Sequence, residues 1–354
     1  MLSPGRLLGG LFVVRRLPTR RLSAQSAALP SPAASFLSSS PTDLSRAAEL
    51  LRSGRCVALP TETVYGLAAD ALDPTALAQV FAIKGRPLLD PLIVHVLDLA
   101  ALAEIAEPDE RLAAVSGFWP GPLTVVLRRR ACVPDLVTAG KPTVAVRLPA
   151  HPVFREVLRL AGRPLAAPSA NPFGYVSPTK AAHVADSLGA RCPWIVDGGP
   201  CAHGVESTIL DLSTPGRARL LRPGPITLEA LQAKLGPIEV VTRAAHQQVA
   251  QDAPGMLERH YSPATKVVLF ARGSNPPPAA GKVARLFLSR RPSVAPAEDF
   301  HLSETGSAEE GARHLFDLLR QLDARGFDVI QAELAEPVGI GVAYNDRLTR
   351  AAAR

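Results

Sequence analysis

Two basic side chains flank a glycine in the segment 82–87. Lys84 and Arg86 stand on either side of Gly85, where a helical pattern ends, and Pro87 follows. Two cations at this spacing can bind one polyphosphate together, and a guanidinium can bind it through two parallel hydrogen bonds. Cations are also common at helix C-termini, where they complement the helix dipole. The segment therefore predicts either a phosphate clamp or an ordinary helix end.

Two short polar side chains follow an apolar strand pattern in the segment 166–171. Pro168 ends the strand, and Ser169 and Asn171 then project toward the same side. Ligands bind beyond strand ends in α/β sheets, although a helix N-cap or an Asx-turn explains the same residues. The sequence has neither a P-loop motif nor a dinucleotide-binding glycine motif, so a nucleotide site here requires scattered phosphate ligands.

Two charged side chains interrupt apolar strand patterns. Arg147 lies in the pattern 143–148, and His95 lies in the pattern 92–96. A partly buried arginine needs an anionic partner, either the carboxylate of a substrate or a structural aspartate. For the histidine, a hydrogen-bonded position in the core is the expected environment.

Polar loops stand directly beside apolar sequence at several points. The loop 60–66 holds three hydroxyl groups and a carboxylate within five residues, a composition that is typical of pocket linings and also of solvated turns. Further polar islands occur at 204–209, 221–224 and 259–263.

Alternating strand and helix patterns position these residues. Helical patterns occur near 44–51, 73–85, 109–117, 151–161, 179–188 and 227–235. Strand patterns occur at 56–59, 92–96, 123–127, 144–148, 165–167, 194–196, 207–212 and 219–221. This alternation predicts an α/β domain over 43–240 with a twisted and largely buried sheet, and the short connections predict that the sheet is mixed.

The periodicity fades between 241 and 264, which predicts an interdomain linker. A smaller α/β unit is predicted over 265–354, with strands at 266–270, 283–288 and 329–333 and helices near 308–325 and 345–353. The aromatic pair His260 and Tyr261 is unexpected in a linker unless it packs over another part of the protein.

The first 42 residues differ in composition from the rest of the chain. They contain five arginines and no acidic residue, whereas the whole chain has a formal charge of +7. Without those five arginines the charge is +2, so net charge gives little support for a nucleic-acid-binding face. A leader rich in Arg, Ser and Leu is typical of a mitochondrial transit peptide, and a disordered extension is the alternative.

The four cysteines show no C-x-x-C spacing and no neighbouring histidine cluster. A disulfide framework and a metal site held by the protein are therefore not predicted. No apolar stretch reaches the roughly 18 residues that a membrane-spanning helix needs, so no membrane association is predicted.

The motifs, taken in order, resemble the Sua5/YrdC family from about residue 43 to residue 353. They are PTETVYGL (60–67), KGRP (84–87), PLIVH (91–95), WPGPLT (119–124), VAVRLPAHP (144–152), APSAN (167–171), SPTKA (177–181), VDGGP (196–200), VESTI (205–209), LRPGPI (221–226) and APGMLERHYSP (253–263). The segment 338–347 resembles the end of the C-terminal domain of the longer Sua5 type. The resemblance implies a YrdC-like mixed sheet with flanking helices, followed by a smaller Rossmann-like Sua5 domain.

Members of this family are threonylcarbamoyl-AMP synthases. The resemblance implies a nucleotidyltransferase that joins L-threonine, bicarbonate and ATP into L-threonylcarbamoyladenylate and releases pyrophosphate. A tRNA threonylcarbamoyltransferase complex then modifies adenosine 37 of ANN-decoding tRNAs, so contact with tRNA is indirect. Mg²⁺ is expected on the ATP phosphates, with water as its other ligand. The implied location is mitochondrial, cytoplasmic or both.

The resemblance also implies roles for individual residues. The positions that match the set holding the ATP phosphates are Lys84, Arg86, Ser169 and Asn171. Those that match threonine contacts are Thr61, His95, Arg147 and Ser207, with Arg147 facing the carboxylate. Further positions around the nucleotide are Thr143, Ala167, Ser177, Arg222 and Tyr261. Tyr261 would act as a lid that closes over the ATP site from the linker.

One residue departs from the family pattern. Asp90 stands where the family often has Asn or Lys before Pro-Leu, near the nucleotide. An aspartate there would repel phosphate unless it faced a metal or a base, so no role is assigned to it.

Two other functions are compatible with the same fold. A double-stranded RNA-binding protein without synthase activity would need a concave basic surface, which the near-neutral charge beyond the leader disfavours. A carbamoyltransfer domain of the hydrogenase-maturation type is disfavoured because the zinc-finger cysteines that accompany that domain are absent.

Overall fold

Eleven strands of the described residues form one mixed sheet. A computed structural model describes residues 34–192, 194–241, 251–255, 260–290 and 298–353, all within the compact unit Ala33–Arg354. The strands are β1 (Ser35–Leu37), β2 (Val57–Leu59), β3 (Gly66–Asp70), β4 (Ile93–His95), β5 (Leu123–Arg128), β6 (Thr143–Arg147), β7 (Leu165–Ala166), β8 (Trp194–Val196), β9 (Thr208–Asp211), β10 (Arg219–Arg222) and β11 (Glu239–Val240). Their order is β1-β8-β2-β3-β7-β4-β6-β5-β9-β10-β11.

Parallel and antiparallel pairs are interspersed in this sheet. For example, β4 pairs with β6 in parallel and with β7 antiparallel. The prediction of a mixed sheet is thereby confirmed. The helices that flank it are α1 (Pro41–Arg52), α2 (Pro74–Lys84), α3 (Leu99–Ile105), α4 (Leu112–Val115), α5 (Asp135–Thr138), α6 (Pro152–Ala161), α7 (Ala181–Leu188) and α8 (Leu228–Leu235).

The ends of α2 follow from local chemistry. The Asp73 side chain accepts a hydrogen bond from the Thr75 amide, and Pro74 occupies the first turn, where its missing N–H is not needed. Gly85 ends the helix in the left-handed conformation at φ +62°, which glycine adopts without steric cost. This cap directs Lys84 and Arg86 toward the sheet interior, where both are buried.

A smaller parallel sheet follows the linker. It contains β12 (Lys266–Phe270), β13 (Val283–Ser289), β14 (Asp299–Ser303) and β15 (Val329–Glu333) in the order β12-β15-β13-β14, with helices α9 (Ala308–Ala324) and α10 (Ile340–Ala352). Its apolar core also includes Val64, Val176 and Val205 from the loops of the larger sheet. The two sheets therefore share a packed interface.

The two faces of strand β4 have different environments. Val94 packs in the main apolar core together with Val146 of β6. Ile93 and His95 point to the opposite face, because side chains alternate along a strand, and both line a cavity there. The candidate site therefore lies on a sheet face, whereas the sequence predicted it at strand ends.

The predicted leader boundary at residue 42 is wrong. β1 pairs with β8 in parallel, from Ser35 opposite Trp194 to Leu37 opposite Val196, and α1 already begins at Pro41. Three residues are too short for a pattern, and their partner lies far along the chain, so local periodicity misses them. The rest of the leader, 1–33, lies outside the described residues, as does part of the predicted linker.

Several other elements differ from the predictions. The elements that were not predicted are β3, β11, β14, α3 and α5. The predicted helix 109–117 is only α4 followed by a 3₁₀ turn, Ser116–Phe118, and the last helix begins at Ile340 rather than near 345. Among the helices of the described residues, none is long and apolar enough to cross a membrane.

Candidate active site

An open cavity, with an empty volume of about 530 Å³ that includes solvent at its mouth, lies over the face of β4 that carries Ile93 and His95. The predicted site residues that line it are Thr61, Arg86, His95, Arg147, Ala167, Ser169, Ser207, Arg222 and Tyr261. Lys84, Asn171, Thr143 and Ser177 do not line it. The structure therefore brings together most of the residues that the sequence singled out, from loops and strands that are distant in the chain.

Lys84 and Asn171 support the cavity wall from behind. The Lys84 Nζ donates hydrogen bonds of 2.6 Å to the carbonyl oxygens of Ser169 and Asn171. The Asn171 Nδ2 donates to the carbonyl oxygens of Pro172 and Tyr175, at 2.9 Å each. Both amide hydrogens of Asn171 therefore already have backbone acceptors in this structure, and its contact with a phosphate stays a prediction.

Arg86 reaches the cavity and is held by the turn that follows it. Its Nε and Nη2 donate to the carbonyl oxygens of Asp90 and Pro91, at 3.0 and 2.6 Å. The Asp90 Oδ1 lies 3.0 Å from Nη2, although neither carboxylate oxygen has a hydrogen-bond partner among the described residues. Asp90 thus faces the Arg86 guanidinium, which is the exception to phosphate repulsion that the sequence analysis left open.

Arg147 pairs with an acidic residue of the loop 60–66. Its Nη2 lies 2.6 Å from the Glu62 Oε1, and its Nη1 donates to the Thr63 Oγ1 at 2.9 Å. Burial raises the pKa of Glu62, but the Arg147 guanidinium outweighs this effect and lowers the pKa to about 2. The anionic partner that the sequence required is thus supplied, in this structure, by Glu62.

Thr61 organises the turn that carries this carboxylate. Its Oγ1 donates to the Val64 carbonyl oxygen at 2.6 Å and accepts the amide hydrogens of Thr63 and Val64, each at 3.1 Å. The hydroxyl is therefore engaged in a turn as well as facing the cavity. If a ligand replaced the partner of the Thr61 hydroxyl in one of these hydrogen bonds, the other two would still hold the turn.

Ser207 and Arg222 connect three parts of the wall. The Ser207 Oγ lies 2.7 Å from the Thr124 Oγ1 and accepts a hydrogen bond of 3.1 Å from the Arg222 Nη2. The Arg222 Nη1 donates to the Pro254 carbonyl oxygen at 3.2 Å. These bonds attach the segment 251–255 to β10 and close the cavity on that side.

His95 is buried opposite Arg147 in the β4–β6 register. Its ring lies 4.9 Å from that of Phe154, and its Nδ1 has no hydrogen-bond partner among the described residues. Burial, reinforced by the Arg147 charge, lowers the pKa of His95 to about 3. His95 is therefore neutral near pH 7 and can offer one donor or acceptor to a ligand.

The aromatic pair of the linker covers the cavity. Tyr261 is 1% exposed and adopts a left-handed backbone conformation with φ +61°, which costs a non-glycine residue about 1 kcal/mol or more. Its ring packs 4.1 Å from His260 and 5.5 Å from Phe316 of α9. Its hydroxyl has no partner among the described residues, although it lies beside Arg222 and Gly255.

Thr143 and Ser177 lie away from the cavity lining. Thr143 begins β6 and pairs with Arg128, at the far end of the strand from Arg147. Ser177 is fully buried and donates to the Glu206 Oε1 at 2.5 Å. Its contribution is to hold Glu206, which does line the cavity.

Positive charge is concentrated around this cavity. Burial lowers the pKa of Lys84 well below its usual value, and the charge of Arg86 lowers it further. Burial and then the charges of Arg86, Lys84 and Arg222 lower the pKa of His260 as well. Burial is the larger cause of both shifts, and the repulsion between the bases adds to it, so an anionic ligand that offsets this repulsion would be bound favourably.

Sequence reasoning did not assign roles to several residues at the site. They are Glu62, Asp90, Glu206, Gly255, His260 and Arg347. All except Asp90 lie inside the segments that resemble the family, and the signal for Glu206 and Arg347 was a charged residue next to apolar sequence. Their pairing is a long-range contact that no local pattern reports.

The fold and the cavity define a two-domain α/β protein with a cavity on the face of a mixed sheet, lined by three arginines and partly by the linker. Residues 49–224 match the Sua5–YciO–YrdC family model, described as "Telomere recombination". Residues 226–353 match the model described as "Threonylcarbamoyl-AMP synthase, C-terminal domain". The chain belongs to the Sua5/YrdC family, in its two-domain Sua5 form.

Relatives resemble the chain over most of its length. The threonylcarbamoyl-AMP synthase of Pyrococcus abyssi is 41% identical over 319 residues, which cover 86% of this chain and 92% of that protein. The enzyme of the same name from Schizosaccharomyces pombe is 36% identical and covers 87% and 88%. The crystal structure of P. abyssi Sua5 complexed with L-threonine has a TM-score of 0.82, with 38% identity, and covers 90% of this chain and 97% of that one. These relatives favour the synthase over the RNA-binding alternative.

Proposed function

We propose that the chain is an L-threonylcarbamoyladenylate synthase that uses ATP, L-threonine and bicarbonate. The observation that carries this proposal is the convergence of Arg86, Arg147 and Arg222 on one cavity, each from a different element. Full-length relatives that carry the synthase name support it. Two anionic substrates need such a surplus of positive charge.

The residues suit a reaction in which the substrate supplies the nucleophile. Threonine's amine and bicarbonate give a carbamate and water, and a carbamate oxygen attacks the α-phosphorus of ATP. The bond between the α-phosphorus and the oxygen that bridges it to the β-phosphorus breaks, and pyrophosphate leaves with that oxygen. The protein then has to align anions and stabilise the leaving group, which is a role for Arg86 and Lys84. Arg147 would hold the threonine carboxylate, with Thr61, His95 and Ser207 around it.

The carboxylates near the cavity bear on how Mg²⁺ would bind. Glu62, Asp90 and Glu206 each lie beside an arginine, at 2.6, 3.0 and 2.7 Å. The described residues contain no cluster of three or more potential metal ligands. We therefore propose that Mg²⁺ enters as the ATP complex, held by phosphates and water, where it neutralises phosphate charge.

The synthase activity is tested directly by pyrophosphate release from the full chain. We expect release to require L-threonine, bicarbonate and ATP together and to need no RNA. Mass spectrometry should detect threonylcarbamoyl-AMP as the co-product. Retention of double-stranded RNA without pyrophosphate release would instead support the RNA-binding alternative.

Replacement of Gly255 by alanine is expected to disturb the nucleotide side of the cavity. A Cβ there would lie 2.6 Å from the Tyr261 hydroxyl oxygen and 3.1 Å from the Arg222 Nη1, so the ring must move. We expect kcat/KM for ATP to fall by about 10- to 100-fold, as for small misplacements of binding groups.

Gly140 provides the matched control for that substitution. It has the same φ of +77° but open space around its Cβ position, so Gly140→Ala carries the backbone strain without the clash. Both variants should lose a similar free energy of unfolding because of the backbone strain, and urea unfolding measures this loss. Equal kcat/KM values for the two variants would contradict the proposed contact.

The downstream steps and the location are also proposed. A separate transferase complex would accept the unstable adenylate and modify adenosine 37 of ANN-decoding tRNAs, with which this chain makes no direct contact. The leader would direct the chain to mitochondria, with a cytoplasmic pool also expected. Because β1 belongs to the fold, any cleavage should occur before Ser35. N-terminal sequencing of the protein purified from mitochondria would contradict this if it began beyond that residue.

A further inference from the structure

Arg347 is a buried arginine that the proposed mechanism does not use. It lies on α10 of the smaller domain and is 0% exposed. Burial of a charge is costly unless the charge is paired and hydrogen-bonded. Its contacts therefore indicate what it stabilises.

Three of those contacts reach the wall of the cavity. The Arg347 Nε donates to the Glu206 Oε2 at 2.7 Å, and its Nη2 donates to the Pro223 carbonyl oxygen at 3.1 Å. Its guanidinium carbon lies 5.2 Å from the centre of the Tyr261 ring, within the range of a cation–π interaction. Glu206 and Tyr261 line the cavity, and Pro223 follows Arg222, which also lines it.

These contacts come from three segments that are separated in the chain. Glu206 precedes β9, Pro223 follows β10, and Tyr261 belongs to the linker. Asp346 forms a further ion pair of 2.6 Å with the Arg347 Nη1 and so fixes the guanidinium from its own helix. Ser177 holds the other oxygen of Glu206. The Arg347 guanidinium thus joins the smaller domain to all three of these segments around the cavity.

The Tyr261 ring requires such a restraint. Its positive φ is unfavourable for a tyrosine, and its buried hydroxyl has no partner among the described residues. Both features persist only if the surroundings hold the ring in place. Phe316 packs on the ring at 5.5 Å, and Arg347 supplies the charged contact.

We propose that Arg347 is a positioning residue for the ATP site, which acts through Tyr261 and Glu206 and makes the smaller domain part of the catalytic unit. This inference rests on the proposed function for the identity of the nucleotide. Arg347 itself does not line the cavity. Because Arg347 acts through Tyr261 at the nucleotide site, its replacement should weaken nucleotide binding more than threonine binding.

The variants that test this role are Arg347→Met, Arg347→Lys and Tyr261→Leu, with Lys180→Met as the control. Lys180 forms an ion pair of 2.7 Å with Asp317 of α9, an interdomain contact that does not line the cavity. Calorimetry with a non-hydrolysable ATP analogue gives Kd without requiring the reaction. Arg347→Met should weaken binding about 10- to 100-fold, since a cation–π contact and a charged hydrogen bond are lost. Lysine should restore part of the loss, and the control should change Kd less than about twofold.

A double-mutant cycle separates positioning from general destabilisation. If Arg347 acts through Tyr261, the variant with both Arg347→Met and Tyr261→Leu should bind the analogue no more weakly than Tyr261→Leu alone. Additive losses, or a loss of thermal stability with unchanged Kd, would overturn the proposal. If Arg347→Met does not fold, combining it with Glu206→Gln removes the unpaired buried carboxylate, and the same cycle is measured on that background.

The outcome is distinguishable from failure of the proposed function. If the wild type binds the ATP analogue and the double-mutant cycle shows coupling, but no pyrophosphate is released, the proposed synthase activity is contradicted. The positioning role of Arg347 would still be supported. Pyrophosphate release with a normal ATP KM in Arg347→Met would contradict the positioning role alone.

Discussion

Replacement of Lys84 by alanine is expected to lower the rate of pyrophosphate release by about 100- to 1000-fold, the usual cost of removing one donor that stabilises developing charge. Lys84 is 2% exposed, and two of its three ammonium hydrogens are directed to backbone carbonyl oxygens. The proposed role requires a phosphate oxygen to reach the third hydrogen from the cavity, which Lys84 does not itself line in this structure. Steady-state kinetics with saturating threonine and bicarbonate measure the effect.

Lys84 also holds the backbone of Ser169, so two variants are needed. Lys84→Met keeps the aliphatic stem and removes only the charge and the donors, whereas alanine also leaves a cavity. If methionine retains most of the activity, the charge is dispensable and the phosphate clamp is excluded. Gln79→Ala is the control on the same helix, because the Gln79 side chain donates to the Gly54 carbonyl oxygen and does not line the cavity. It should leave the kinetics unchanged.

The protonation of Lys84 also predicts how the affinity for ATP depends on pH. Its pKa in the free protein is lowered, first by burial and then by Arg86. A bound polyphosphate would raise it, so the complex holds the proton to higher pH than the free protein. ATP affinity should therefore be full below the free-protein pKa. Above it the affinity should fall by about tenfold per pH unit, until the pKa of the complex is reached.

Proton uptake is the direct measurement of this coupling. Calorimetric titration with an ATP analogue in two buffers of different ionisation enthalpy gives the number of protons bound. We expect net uptake in the wild type and a smaller uptake in Lys84→Met. Equal uptake by both proteins would assign the proton to another group.

Replacement of Arg147 by methionine is expected to raise the KM for threonine by at least about 100-fold, because a charged, two-point contact to a carboxylate is lost. ATP-analogue affinity should change much less, because Arg86 and Lys84 remain. The variant should also lose about 3–5 kcal/mol of unfolding free energy, since Glu62 keeps a buried charge without its partner. Urea unfolding and threonine-dependent kinetics measure the two effects separately.

A second variant distinguishes the substrate contact from the structural pair. Arg147→Met combined with Glu62→Gln removes both charges, so stability should recover while the threonine KM stays high. Arg163→Met is the control outside the cavity: it removes a more exposed arginine that pairs at 2.9 Å with the buried Asp70, so it should leave the threonine KM unchanged. Recovery of the threonine KM in the double variant would show that Arg147 only neutralises Glu62.

Local chemistry in the sequence determined the elements that carry the phosphate-binding residues. The cap at Asp73, the proline after it and the glycine at 85 act within one turn, so the bounds of α2 were predictable. The alternating patterns predicted a mixed α/β sheet and a second α/β unit for the same reason, since strand and helix periods are local properties. The ordered motifs then identified the family, and with it the residues around the cavity.

Only the tertiary structure decided how those residues divide their contacts. Lys84 turns to backbone carbonyl groups, Arg86 faces Asp90, and Arg147 faces Glu62. The cavity lies on a sheet face because Ile93 and His95 of β4 face linker residues that are far away in the chain, among them Pro254, Gly255 and Tyr261. Arg347 meets Glu206 across 141 residues. Apart from the Arg86–Asp90 pair, which spans only four residues, these contacts join residues that are far apart in the chain, so no local pattern reports them.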